Sequence, residues 1–194
     1  MCNCERNYQM IKQTKVLWIT RTAILLALLV VLQAATVPLG NNFITGSIVN
    51  AMLVISVMTC GLATGVTIAA ISPVLPTLLG FGPVWPLVPF IAAGNVVLVL
   101  IWHLIGNIKT RNKYLAYGAA LPVAAGAKFT VLYFGVVKVA VEMILKLPEK
   151  QASVITFLFS YPQLITALIG GAVATIVFPT LKKVIAKDRA GNSE

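Results

Sequence analysis

From Val16 to Ile185 the chain is a train of apolar runs, broken only by short turns and one basic loop. A bilayer core offers no water to backbone amides, so runs of about twenty residues must satisfy their own N–H and C=O groups as helices. Only 10% of residues are charged and 59% are hydrophobic, with a mean hydropathy of +0.93. A soluble domain carries about 25% charged residues. The expected fold is therefore an all-α integral membrane protein, a compact bundle of six transmembrane helices. A polar tail over residues 1–15 precedes the membrane domain of residues 16–186, and a second tail follows over residues 187–194.

Six spans are expected. The first runs from Val16 to about Pro38, and Gly40-Asn41-Asn42 turns the chain so that Phe43 to Gly46 re-enters. Ser47 to about Cys60 is a short second span, Gly61 to about Leu79 a third and about Val84 to Gly106 a fourth. Tyr114–Lys146 makes the fifth, with a kink expected at Pro122. Ala152 to about Ile185 is the sixth, in which Pro162 separates a re-entrant start from the main helix. The net charge of +10 sits at the two termini and in the Lys109, Arg111, Lys113 loop. That pattern obeys the positive-inside rule and places both termini and this loop in the cytoplasm, facing lipid headgroups, not nucleic acid.

Within the fifth span lie three charges. Near its middle is Lys128, where a lysine costs at least ~2.5–3.5 kcal/mol, and such a residue by default marks a functional site facing a wet cavity. At about 100° per residue, Lys138 and Glu142 fall about 80° and 40° from Lys128, on one side of the helix. Lys138 and Glu142 are an i,i+4 pair able to neutralise each other, whereas Lys128 has no acidic neighbour within a turn or two. Lys128 is thus expected to face a recess and receive an anionic group from a ligand; the alternative is a structural lysine capped by backbone carbonyls or by Asn95.

Depth sorts the remaining polar residues. Asn41, Asn42, Asn50, Trp85, Lys138, Glu142, Tyr161 and Gln163 fall on the outer half, with Asn95 near mid-depth and Gln33 at the outer end of the first span. The inner half is nearly bare, so the pattern suits an outward-opening pocket better than a conduction path. Lys128, Asn95, Gln163, Asn42, Trp85, Tyr161, Lys138 and Glu142 are the candidate substrate contacts. Asn95 equally suits an interhelical hydrogen bond, Trp85 an interfacial belt, the asparagines a turn, and Lys138 with Glu142 a structural pair.

Catalysis finds little material. There are five acids and one histidine, with no clustered ligands for a metal and no paired carboxylates. No phosphate-cradling glycine motif carries a lysine, so ATP use would belong to another subunit, and no cofactor is expected. A stand-alone secondary transporter or channel is the competing class; it would show internal repeats and broken helices meeting at mid-membrane, and no convincing repeat is present.

Ala23 and Ala27 form a small-xxx-small pattern on the first span, a spacing repeated at Gly61/Gly65 and Gly170/Ala174. This pattern, six spans and a basic charge resemble the substrate-binding S components of energy-coupling factor (ECF) vitamin transporters. Lys-Phe-Thr-Val-Leu-Tyr-Phe from Lys128 and Tyr-Pro-Gln-Leu-Ile-Thr-Ala-Leu-Ile-Gly-Gly from Tyr161 are similar to the last two spans of such proteins. The resemblance implies a bundle that captures a micronutrient from outside, docks on a membrane scaffold subunit with two cytoplasmic ATPases, and topples to release it. It also implies that Ala23 and Ala27 meet the scaffold, and that the loops Leu39–Gly46 and Gly80–Trp85 close the pocket.

Overall fold

The computed structural model describes residues 3–108, 113–145 and 149–191, with side chains over 15–108, 113–141 and 151–183. Among them there are helices and no strands. Helix α1 (Asn3–Thr36) is followed by α2 (Asn42–Cys60), α3 (Leu62–Ile71) and the short α4 (Val74–Leu78). Next come α5 (Val88–Gly106) and α6 (Lys113–Leu132), which continues as a π-helical segment over Tyr133–Leu145. Helices α7 (Glu149–Leu158) and α8 (Tyr161–Gly191) complete the chain. Five stretches are long and apolar enough to cross a membrane, and the shorter apolar Leu62–Leu78 makes a sixth element.

The boundaries shift from the sequence reading for local reasons. Helix α1 begins at Asn3, inside the segment read as a tail. The second span starts at Asn42, because the Asn41 side chain accepts a hydrogen bond from the Phe43 N–H at 3.0 Å and caps the helix there. Gly61, at φ +88°, ends α2 with a conformation that side-chain-bearing residues avoid. Pro73 breaks the third span. It has no N–H to offer the Ala69 carbonyl, which accepts from the Ser72 hydroxyl at 3.1 Å instead. The sixth span is interrupted at Phe159–Ser160, and Pro162 becomes the second residue of α8, where a missing N–H costs nothing. Lys109 and Arg111 of the basic loop lie outside the described residues.

The π-helical segment corrects the expected face of the fifth span. With roughly 4.4 residues per turn from Tyr133 onward, Lys138 is rotated roughly 170° from Lys128 instead of about 80°. Val136, Val137, Ala140 and Val141 are buried, whereas Lys138 is exposed. The Glu142 side chain lies outside the described residues.

Helix α2 packs along α8 and α5 along α6, with α3 closing against α2 and α5, and α1 lying outside against α2 and α3. The α2–α8 contact is close enough to bring backbone to backbone. A Cβ added at Gly170 would lie 2.5 Å from the Ser47 carbonyl oxygen and 2.6 Å from the Asn50 Cβ. Overpacking of this kind costs about 1–3 kcal/mol, and Gly170→Val adds more than one methyl. We expect Gly170→Val to lower the thermal midpoint by at least about 5 °C. Gly126→Ala, which meets nothing within 4 Å, should leave the midpoint unchanged; equal behaviour of the two would refute the close approach.

Candidate substrate-binding site

Lys128 is buried at mid-bundle, between two neighbouring helices. Its Nζ donates to Asn50 Oδ1 on α2 at 2.6 Å and to Asn95 Oδ1 on α5 at 2.7 Å. The two amides pass the polarity on. Asn50 Nδ2 donates to Thr166 Oγ1 at 3.3 Å, and Thr166 donates to the Gln163 carbonyl at 3.1 Å. Asn95 Nδ2 donates to Ser72 Oγ at 3.0 Å, and Ser72 donates to Ala69 as above. One directed network thus joins α2, the α3–α4 break, α5, α6 and α8. Asn95 makes the interhelical hydrogen bond that the sequence left open, and also lines the cavity.

An ammonium has three donors. Two are used, and the third finds no partner among the described residues. An isolated buried charge is expensive, and neutral amide oxygens offset only part of that cost. No carboxylate is among the described lining residues, so a protonated Lys128 is hydrogen-bonded there but not neutralised.

Beside this group lies a cavity of about 490 Å³. Lys128, Asn50 and Asn95 line it together with Ser72 and Thr166, and Gln33, Asn41, Asn42, Thr45 and Gln163 supply further polar groups. Val49, Leu87, Ile91, Ile155, Leu158 and Phe159 make much of the wall apolar. Both the capped start of α2 and the turn before α5 contribute: Asn41, Asn42, Thr45 and Gly46 at one side, and Phe81 to Val84 at the other. The second turn is held down on α4, where the Phe81 and Gly82 N–H groups donate to the Pro76 carbonyl at 3.0 and 2.9 Å. Gly82 has no room for a side chain, since a Cβ would come within 2.3 Å of the Thr77 nitrogen.

Of the candidate contacts, Lys128, Asn95, Asn42 and Gln163 line this cavity. Trp85 and Tyr161 do not. They are 54% and 73% exposed, because Trp85 begins a one-turn helix whose Leu87 faces inward, and Tyr161 opens α8 on its outer side. Lys138 is also away from it, carried to the exposed face by the wide turns of the π-helical segment. Asn50, Ser72, Thr166 and Gln33 line the cavity and are not among the contacts the sequence singles out. Asn50 carried a usable signal, an amide in an apolar run on the outer half. Ser72 and Thr166 carried none, since single hydroxyls in membrane helices usually bond their own backbone.

At the opposite end of the bundle is a smaller cavity of about 180 Å³, lined by Trp102, His103, Asn107 and Tyr117 among others. The half of the bundle away from Lys128 therefore also carries polar lining residues. Ala23 and Ala27 are exposed, in a face of α1 that includes Ile24, Leu28 and Val31. Of the other two small-residue patterns, Gly65, Gly170 and Ala174 pack inside the bundle, a Cβ on Gly65 meeting Val99 at 2.8 Å, whereas one on Gly61 would meet nothing within 4 Å.

No curated protein and no solved structure gives a significant match. The family model described as the substrate-specific component of the ECF transporter matches residues 18–182. That match spans every membrane-crossing element and the whole cavity lining. The chain therefore belongs to the family of substrate-specific components of ECF transporters, which makes it a multi-pass protein of the cell membrane.

Proposed function

We propose that the cavity captures a small, partly planar anionic micronutrient, a water-soluble vitamin or its precursor, from outside the cell. One observation carries this reading: a buried lysine amine bonded only to two neutral amide oxygens, with no carboxylate among the described lining residues, in the wall of a cavity of about 490 Å³. The anion would complete the third donor position of Lys128 and neutralise its charge. Asn50 and Asn95 hold the ammonium in place, and the apolar wall takes the body of the molecule. The single N–H to anion bond is charge-assisted and stronger than a neutral one.

The direction of entry follows from charge. The segments 41–46 and 81–84 of the lining lie at one end of the bundle, and α5 ends and α6 begins, on either side of the basic loop of the sequence, at the other. With that loop and both termini in the cytoplasm, the cavity opens outward. ATP-driven uptake is then the work of partners, a membrane scaffold subunit and two cytoplasmic ATPases, with the exposed Ala23–Ala27 face of α1 as the docking strip. The chain itself binds and does not catalyse.

Interrupted helices at Ser72–Pro73 and Phe159–Ser160 border the cavity, a feature shared with secondary transporters. Family membership favours capture over self-powered transport. A thermal-shift screen of purified protein against water-soluble vitamins separates the two. We expect one anionic vitamin to raise the midpoint without any ion gradient, and liposomes holding this chain alone to show no gradient-driven flux. Flux by the chain alone would overturn the reading.

A further inference from the structure

Gln33 brings a second buried, unpartnered polar group to the cavity wall. Its Oε1 is fully buried and accepts no hydrogen bond, although the residue lines the same cavity as Lys128. Of the other amides in the lining, Asn41 caps α2, Asn50 and Asn95 hold Lys128, and neither Asn42 nor Gln163 has a side-chain atom that is both buried and unpartnered. A buried carbonyl oxygen without a donor is rare in folded proteins, and it calls for an occupant that brings one.

Register fixes its height. Thr45 on α2 donates to Thr36 on α1 at 3.1 Å, so these two residues are level. Gln33 lies three residues deeper on α1 and Asn50 five residues deeper on the antiparallel α2. At about 1.5 Å per residue, Gln33 stands only about 3 Å above the Asn50–Lys128 contact. The cavity lining therefore includes a lysine donor on α6 and a neutral acceptor on α1 at nearly the same height.

We infer that the substrate carries, besides its anionic group, a hydrogen-bond donor such as an amide or ring N–H, which the Gln33 side-chain carbonyl accepts. This rests on the anion-binding role proposed for Lys128 and adds to it a second point of recognition. A neutral cavity wall would bind an anion with any apolar body. An unsatisfied acceptor favours bodies that bring the donor, because only they relieve the unpaired carbonyl.

The test uses matched small carboxylates: N-acetyl ω-amino acids with two to six methylenes, and their N-methyl counterparts, which lack the N–H. Binding is read by thermal shift and calorimetry on the purified full chain in detergent. At the chain length that fits, we expect the N–H member to bind about fivefold tighter than its N-methyl partner. In Gln33→Met, which keeps the length and apolar bulk, that ratio should fall to about one, with the N-methyl compounds binding as to wild type. In Lys128→Met both series should fail. Equal binding of the two series to wild type, or a ratio kept in Gln33→Met, overturns the role of Gln33 and leaves anion capture standing. Binding of neither series at any length counts against anion capture itself, and the inference goes with it.

Discussion

Lys128→Met is expected to weaken binding of the anionic substrate at least about tenfold, equivalent to about 1.4 kcal/mol, while the protein stays folded. The two halves of that result have separate causes. Methionine nearly fills the space of the lysine stem but brings no charge, so the partner for the incoming anion disappears. Folding loses two hydrogen bonds, to Asn50 and Asn95. It also escapes the cost of holding a charge where only neutral oxygens face it, and exchanges of this kind are often neutral. The freed amide oxygens line a cavity and are not sealed in lipid. The midpoint should therefore move by less than about 5 °C. A variant that binds as well as wild type would make Lys128 a structural cross-brace and nothing more. Loss of the fold would show that the three-residue cluster holds α2, α5 and α6 together.

A tryptophan at Ala23 or Ala27 should do the opposite, sparing capture and abolishing ATP-driven uptake in the assembled transporter. Both alanines are exposed on α1, the outermost helix, of whose described side chains only Thr22 and Leu29 are buried. An indole there meets nothing inside the bundle, so ligand affinity should stay within about twofold of wild type. Small residues one turn apart allow a second helix to approach closely, and a large ring at either position prevents that. Ile176→Trp, on an exposed face of α8, serves as the control and should transport normally. Lost capture in the Ala23 or Ala27 variants would place these residues in bundle packing, and normal uptake would move the docking strip elsewhere.

The helical membrane class was legible because the bilayer leaves an apolar chain so little choice. Lys128 and Asn95 were legible for the same reason, since polarity in the middle of a span must be partnered. What escaped depends on geometry that no composition reveals. The face of Lys138 turned on a change of helical pitch at Tyr133, which shifts every later residue around the axis. Trp85 and Tyr161 stand at the right height but on the wrong side, and depth alone does not separate inward from outward. Ser72 enters the site only because Pro73 breaks the helix and leaves a carbonyl for its hydroxyl to fill. Gln33 looked like the outer end of a lipid-facing span, and only its missing partner marks it.

The most direct test is to identify by mass spectrometry the small molecule that leaves purified wild-type protein on denaturation, beside the same preparation of Lys128→Met. A single anionic compound from the wild type, absent from the variant, is what an ammonium-floored capture site requires. A cationic or neutral compound, or the same anion in equal amount from both proteins, would contradict it.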